Sequence, residues 1–442
     1  MLASGTAELE GYVDVSACVF ESRRAEERYF AWEQPDRDGF ALGALGSAWT
    51  VEGIAASNRF SAAAERCAEL RRGGLSSDGP DLPAAGPVWV GGFAFAGDGG
   101  SSAEWRSFPP ALLVLPELSF VRHGERCWAT VNVVCREDDD PDALCTGAVA
   151  RLEAVRAAPM PLIDPDPAGG YTISSPLAPD RYVRAVAEAR DRIRRGELEK
   201  VVLAREVRVD SPIPFRPAAV FGALRSAYPS CFCFCVGTSD AAFVGASPEL
   251  LVRREGASLH TVALAGSTRR SADPAVDDHL GQRLLQDAKE RGEHAIVARR
   301  IERALEPLSV WVAAAAEPSL VKIANIQHLA TPLRAQLAQP WSVVELAGVL
   351  HPTPAVGGEP WERARALVGL EQLDRGWYAG PVGWMDSTED GEFCVALRCA
   401  LIEGRSAHCY AGGGVVADSD PESELAETEV KLQALLPALT GV

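Results

Sequence analysis

Short apolar runs bounded by glycine, proline and aspartate recur along this chain, and they limit its fold more than any other feature. VWVGGFAFAG (Val88 to Gly97) and ALLVLPELSFV mark the first part. CFCFCVG, AAFVGASPELLVRREG and LHTVALAG follow as successive strands, and GWYAGPVGWMD, EFCVALRCALIEG and SAHCYAGGGVVA read as an antiparallel meander with turns at STEDGE and EGRS. In CFCFC the two-residue period puts Cys231, Cys233 and Cys235 on one face and Phe232 and Phe234 on the other, a packing pattern rather than a metal site. Helices are fewer. Asp180 is placed to cap one from Arg181 to Arg195, ended by Gly196 and followed by a strand from Glu199 to Val209. Ala275 to Leu308 reads as one long charged helical stretch, and a further helix covers about Glu422 to Leu436. The pattern predicts large sheets with helices packed outside.

A chain of 442 residues exceeds a typical single domain, so two domains or one doubled fold are expected. Between Ala157 and Asp180, Pro159, Pro161, Pro165, Pro167, Pro176 and Pro179 exclude regular structure and mark the connection. This gives a strand-rich part, 1–170, without a chemical constellation, and a second part, 171–442, that carries the candidates below. A net charge of −18 argues against an extended nucleic-acid or anionic-membrane surface, while a small anionic substrate needs only a few local cations. No leader pattern opens the chain and no apolar run is long enough to span a bilayer, so the expected location is the cytoplasm. None of the eleven cysteines forms a CxxC pair.

Several residues have chemical potential. Glu290 and Glu293 lie on one face of a helix, with His294 one turn from Glu290. Glu424 and Glu427 repeat the spacing, with Lys431 one turn further on. A single ExxE is ordinarily a solvated face, but two facing pairs would repel unless a cation lay between them, and hard oxygen donors select magnesium. Lys200 begins an otherwise apolar strand, where burial would make it a base; the alternative is a surface lysine. Glu249 follows a Ser-Pro turn at a strand mouth, where burial would keep it protonated. Arg398 reads as a charge inside an apolar strand, which calls for a carboxylate partner. Gly412, Gly413 and Gly414 read as a turn that either lets amides approach an anion or simply turns tightly. His328 is a lone strand histidine.

In order, KVVLAR, GASPELL, ALAGSTRR, KERGEH, NIQHLATPL, LHPTPAVGG, GWYAGPVGW, ALRCAL, AGGGVV and ESELAETEVKL resemble the chorismate-utilising enzymes from about Asp180 to the C-terminus. The resemblance implies an α+β fold, a four-layer α/β/β/α sandwich of large, mainly antiparallel sheets built by internal duplication. It also implies chorismate as substrate and Mg²⁺ as cofactor. Carried over residue by residue, Glu293 and Glu427 would ligate the metal, with Glu290 and Glu424 holding its waters. Arg398 would pair with the enolpyruvyl carboxylate, and Gly412, Gly413, Gly414, Lys431, Gly266 and Ser267 would seat the anion. His328 and Ala355 would line the pocket.

Lys200 stands where water-using members carry a base, and Glu249 would be the acid. Ala355 and the GSTRR segment resemble the isochorismate synthase branch. The expected reaction is therefore water attack at C2 of chorismate with loss of the C4 hydroxyl, in a monomer without a glutaminase subunit. The alternatives are a salicylate synthase, an ammonia-using aminodeoxychorismate or anthranilate-type synthase, and a non-catalytic chorismate-binding protein.

Overall fold

A computed structural model describes residues 1–54, 58–77, 79–323 and 326–441. Asn325, which opens the NIQHLATPL segment, lies outside the described residues.

Two large, mainly antiparallel sheets carry the structure. The centre of the larger is the pairing of Phe232–Gly237 with Tyr29–Gln34, where Cys235 lies opposite Ala31. Outward on one side follow Ala241–Ser247, Cys399–Glu403, Ser406–Val415 and Lys200–Asp210; outward on the other follow Phe40–Leu45, Leu118–His123, Arg126–Val134 and Leu2–Leu9. The second sheet is centred on Val88–Phe93 against Pro381–Asp386, with Gly91 opposite Gly383. Gly391–Val395 and Leu250–Glu255 lie on one side of it, Ala111–Leu115 and Trp49–Val51 on the other. Apart from the short strands Leu75–Ser76, Thr172–Ser174 and Gly358–Glu359 at the first sheet, each half of the chain lays three strands in that sheet, three in the second and two more in the first, which is the expected duplication. The second half adds one insertion, Ser258 to Leu337, containing the strands Ser258–Arg269 and Ile326–Leu337 and the helices between them.

Alternation along each strand sets the layers. Phe30, Trp32, Phe232 and Phe234 face the second sheet and share one core with Trp89, Trp377 and Phe393, and Phe40 stacks on Trp384 across the gap at 5.8 Å. Cys231, Cys233 and Cys235 point the other way, into an apolar layer with the helices Val15–Ser22 and Pro217–Ala227, as their spacing predicts. Outside the second sheet lie the helices Arg59–Arg72, Val343–Leu350 and Ala288–Leu305. This is the α/β/β/α sandwich. Both sheets draw strands from both sides of residue 170.

Several local expectations need correction. The stretch from Ala275 to Leu308 is two α-helices, Pro274–Gln286 and Ala288–Leu305, because extended Asp287 ends the first and caps the second by accepting from the Glu290 amide. The cap of Pro179–Arg194 is Ala178 rather than Asp180, since Pro179 takes the first helical position and Asp180 falls in the first turn. Within the proline-rich connection, Thr172–Ser174 still pairs with Val209 and its neighbours. Two runs read as continuous strands are each divided between the sheets: Ala241–Ser247 from Leu250–Glu255, and Gly391–Val395 from Cys399–Glu403. Arg398 is therefore not inside a strand. It sits at a crossing with φ +48°, in the left-handed region. Finally, Gly412 to Gly414 is not a turn but part of Ser406–Val415, paired with Val202 to Ala204.

Candidate active site

The two crossings lie side by side. The Ser247 hydroxyl donates to the Val395 carbonyl at 2.5 Å, the Val395 amide to the Glu249 carbonyl at 3.0 Å, and the Ala246 amide to the Arg398 carbonyl at 3.1 Å. Glu249 and Arg398 are thereby fixed at the junction of the sheets. Burial pushes the Glu249 carboxyl up to about 8, although Lys200, Arg398 and Lys431 draw it down. It is held as an acid. Arg398 donates to His328 Nε2 at 3.3 Å, and burial with that guanidinium pushes the imidazole down to about 3, so the ring is neutral and accepts.

Lys200 is the first residue of Lys200–Asp210 and is fully buried, which removes the surface-lysine alternative. Its Nζ forms an ion pair with Glu293 Oε1 at 2.8 Å without hydrogen-bond geometry, and among the described residues it has no hydrogen-bond acceptor. Gly414 makes room for this pair: a Cβ there would fall 2.2 Å from Glu293 Oε1 and 3.0 Å from Lys200 Cε. At Gly413 a Cβ would meet Tyr182 Oη at 2.9 Å and Glu424 Oε2 at 3.0 Å. The glycines act by lacking side chains.

The four glutamates come together between Ala288–Leu305 and Pro421–Leu432. Ser267 links them: its amide donates to Glu290 Oε2 at 3.1 Å and its hydroxyl to Glu427 Oε1 at 2.7 Å. Gly266, at φ +78°, forms a bulge in Ser258–Arg269 that shifts the register between Ala265 and Ser267 and turns Ser267 toward these helices. Lys431 contacts Glu427 at 2.7 Å and donates to the Gly412 carbonyl at 2.8 Å, while Lys289 reaches Glu424 at 3.1 Å and Glu290 at 3.7 Å. Burial, then repulsion from Glu293, pushes Glu290 up to about 7; burial and Glu427 raise Glu424. Against burial, Lys431 and the Ser267 hydroxyl hold Glu427 low.

Among the described residues no three His, Cys, Asp or Glu side chains form a ready metal cage. The donor chemistry nevertheless suits magnesium, which is ordinarily held by one or two carboxylates and keeps several waters. Mutual repulsion on Glu290 is what a bound cation would relieve.

The family described as "Chorismate binding enzyme" matches residues 1–440. The chain belongs to the chorismate-binding enzymes. It is 36% identical over 362 residues to the isochorismate synthase MenF of Bacillus subtilis, covering 81% of this chain and 76% of that one. It is 36% identical over 415 residues to the salicylate biosynthesis isochorismate synthase of Pseudomonas aeruginosa, covering 93% and 84%. The solved structure of MenF, the menaquinone-specific isochorismate synthase of Escherichia coli, superposes with a TM-score of 0.80 at 26% identity, covering 99% of this chain and 95% of that one.

In this chorismate-binding enzyme Ala355 is half-buried against the core in the loop before Gly358 and Glu359, which pair with Val201 and Lys200. Two groups escaped the sequence reading. Lys289 precedes Glu290 in KERGEH, so a basic residue next to the ExxE was the available signal. His294 was noted only for its spacing; buried, it bonds through Nδ1 to the Ala265 carbonyl at 3.1 Å and through Nε2 to Thr331 Oγ1 at 2.7 Å, tying the glutamate helix to both inserted strands. No helix among the described residues is long and apolar enough to cross a membrane.

Proposed function

We propose that this protein is an isochorismate synthase, converting chorismate to isochorismate. The observation that carries the reading is a buried lysine, Lys200, in the same site as a buried carboxyl, Glu249, that stays protonated through neutrality. That is a base and an acid set for opposite proton transfers. Lys200 takes a proton from water as its oxygen bonds to C2; the ring double bonds shift; the C4–O bond breaks, and Glu249 gives its proton to the departing hydroxide. One water is consumed and one released. Proton exchange with solvent restores both groups.

Mg²⁺ would be held by Glu293 and Glu427, with Glu290 and Glu424 on its waters, and would supply charge neutralisation for the substrate's ring carboxylate. Arg398 pairs with the second carboxylate, its charge uncompensated by any carboxylate ion pair among the described residues. Lys431, Ser267 and the space left by Gly266 and Gly412 to Gly414 orient the dianion, with neutral His328 and Ala355 bordering the ring. Residues 171–442 carry this chemistry and 1–170 complete the sandwich as a scaffold. The working form is a cytoplasmic monomer without a glutaminase partner.

Incubating the protein with chorismate in ammonium-free buffer, with and without Mg²⁺, and identifying products by mass tests the reading. Isochorismate in balance with remaining chorismate, formed only with metal, is expected. Salicylate with pyruvate, or turnover only after ammonium is added, would overturn it.

A further inference from the structure

A cavity of ≈ 590 Å³ lies apart from this site, where the start of helix Arg59–Arg72, the end of Val343–Leu350 and the start of Trp361–Val368 meet. None of the candidate catalytic, substrate or metal residues lines it. Its walls are aromatic: Phe60, Phe95, Trp341 and Trp361.

The polar groups in its lining are incompletely used. Arg59 is only 8% exposed, and among the described residues no carboxylate forms an ion pair with it. One terminal nitrogen donates to the carbonyls of Ala94 and Phe95 at 3.0 and 3.3 Å, while Nε has no hydrogen-bond partner among the described residues. Burial pulls this guanidinium down to about 10, against the attraction of Asp98. Of the two acidic residues of the lining, largely exposed Asp98 faces Arg365 at 3.9 Å and attracts Arg59 without forming an ion pair with it, and Glu345 accepts from the amide and hydroxyl of Ser342. His351 Nε2 lies 2.8 Å from the Phe95 carbonyl. A carbonyl only accepts, so Nε2 carries the hydrogen, leaving Nδ1 of the neutral ring as a buried acceptor without a partner among the described residues. Arg59 and His351 flank one ring, Phe60, at 4.8 and 6.0 Å from its centroid. Asn58 leaves the amides of that helix start without a side-chain cap.

A cation without an ion pair and a helix start without a side-chain cap among the described residues, a lone acceptor and flat apolar walls together describe one ligand chemistry. We propose that this cavity is a second, non-catalytic binding site for an aromatic hydroxy acid of one or two rings. The carboxylate pairs with Arg59 and the helix start, the hydroxyl donates toward His351 Nδ1, and the rings lie against Phe60 and Trp361. The volume falls within the range of small-molecule sites, roughly 300–1,000 Å³.

The test is a fluorescence titration of the full chain with 1-hydroxy-2-naphthoate, alone and with saturating chorismate and Mg²⁺. One equivalent should bind in both conditions; 1-naphthol, which lacks the carboxylate, and the Arg59→Met variant should each weaken binding about tenfold or more. Val349→Trp, which fills the cavity from its half-exposed wall without touching Arg59, should abolish binding and serves if Arg59→Met does not fold. No binding, displacement by chorismate, or binding unchanged in either folded variant would overturn the proposal.

Discussion

Lys200 Nζ and Glu293 Oε1 lie 2.8 Å apart, so the lysine proposed as base is, in the free protein, the counter-ion of a carboxylate proposed to hold the metal. Removing it separates two roles. Lys200→Ala is expected to lower turnover by about 10²-fold to 10⁴-fold, the usual contribution of a positioned base. It also frees Glu293 of a competing cation, so Mg²⁺ affinity should stay level or rise. Steady-state kinetics beside calorimetric Mg²⁺ titration checks both, and full activity in the variant would remove Lys200 from the mechanism.

Glu249 sets a pH limb. A carboxyl raised to about 8 is protonated below that pH and surrenders its proton as pH rises through it, so kcat/KM should fall on the alkaline side of about 8. Glu249→Gln, similar in shape but unable to give up a proton, should lose most activity, and what remains should lack that limb. A pH–rate profile of both proteins decides the matter.

Gly414→Ala offers a steric test. Its methyl would fall 2.2 Å from Glu293 Oε1, forcing that side chain and the neighbouring Lys200 to move. The clash is with the end of a flexible side chain, so the thermal midpoint should change little while kcat/KM drops by about tenfold or more. An unfolded Gly414→Ala, or one with unaltered kinetics, would contradict this account.

Arg375 supports the Lys200 strand from behind. It donates to Glu371 Oε2 at 2.9 Å and to the carbonyls of Val356 and Val202 at 2.8 and 2.9 Å, and Glu371 also accepts from the Ala204 amide at 2.8 Å. Both side chains are nearly fully buried. Arg375→Met strands a buried carboxylate and should destabilise the fold by about 3–5 kcal/mol, read as a lower urea midpoint.

How much of this was legible in the sequence follows from what each residue depends on. The two-residue alternation of CFCFC set the thiols and the phenylalanines on opposite faces, and the ExxE spacings set which carboxylates shared a helix face, because both are properties of a local period. Duplication and the family were legible through ordered motifs. The exceptions were all matters of long-range placement. Between Glu392 and Glu403 EFCVALRCALIEG is apolar except for Arg398, whether it continues in one sheet or crosses to another, so Arg398 looked like a strand residue until its left-handed backbone at the crossing was seen. AGGGVV carries the composition of a turn, yet it is strand, because its partner Val202 to Ala204 lies far away in sequence and the glycines leave room for Glu293, Lys200 and Tyr182. That Lys200 is buried rather than a surface lysine was likewise decided by tertiary structure. The insertion from Ser258 to Leu337 brings Ser267, Glu290, Glu293 and His328 to a junction that the first half of the chain also builds but leaves without them.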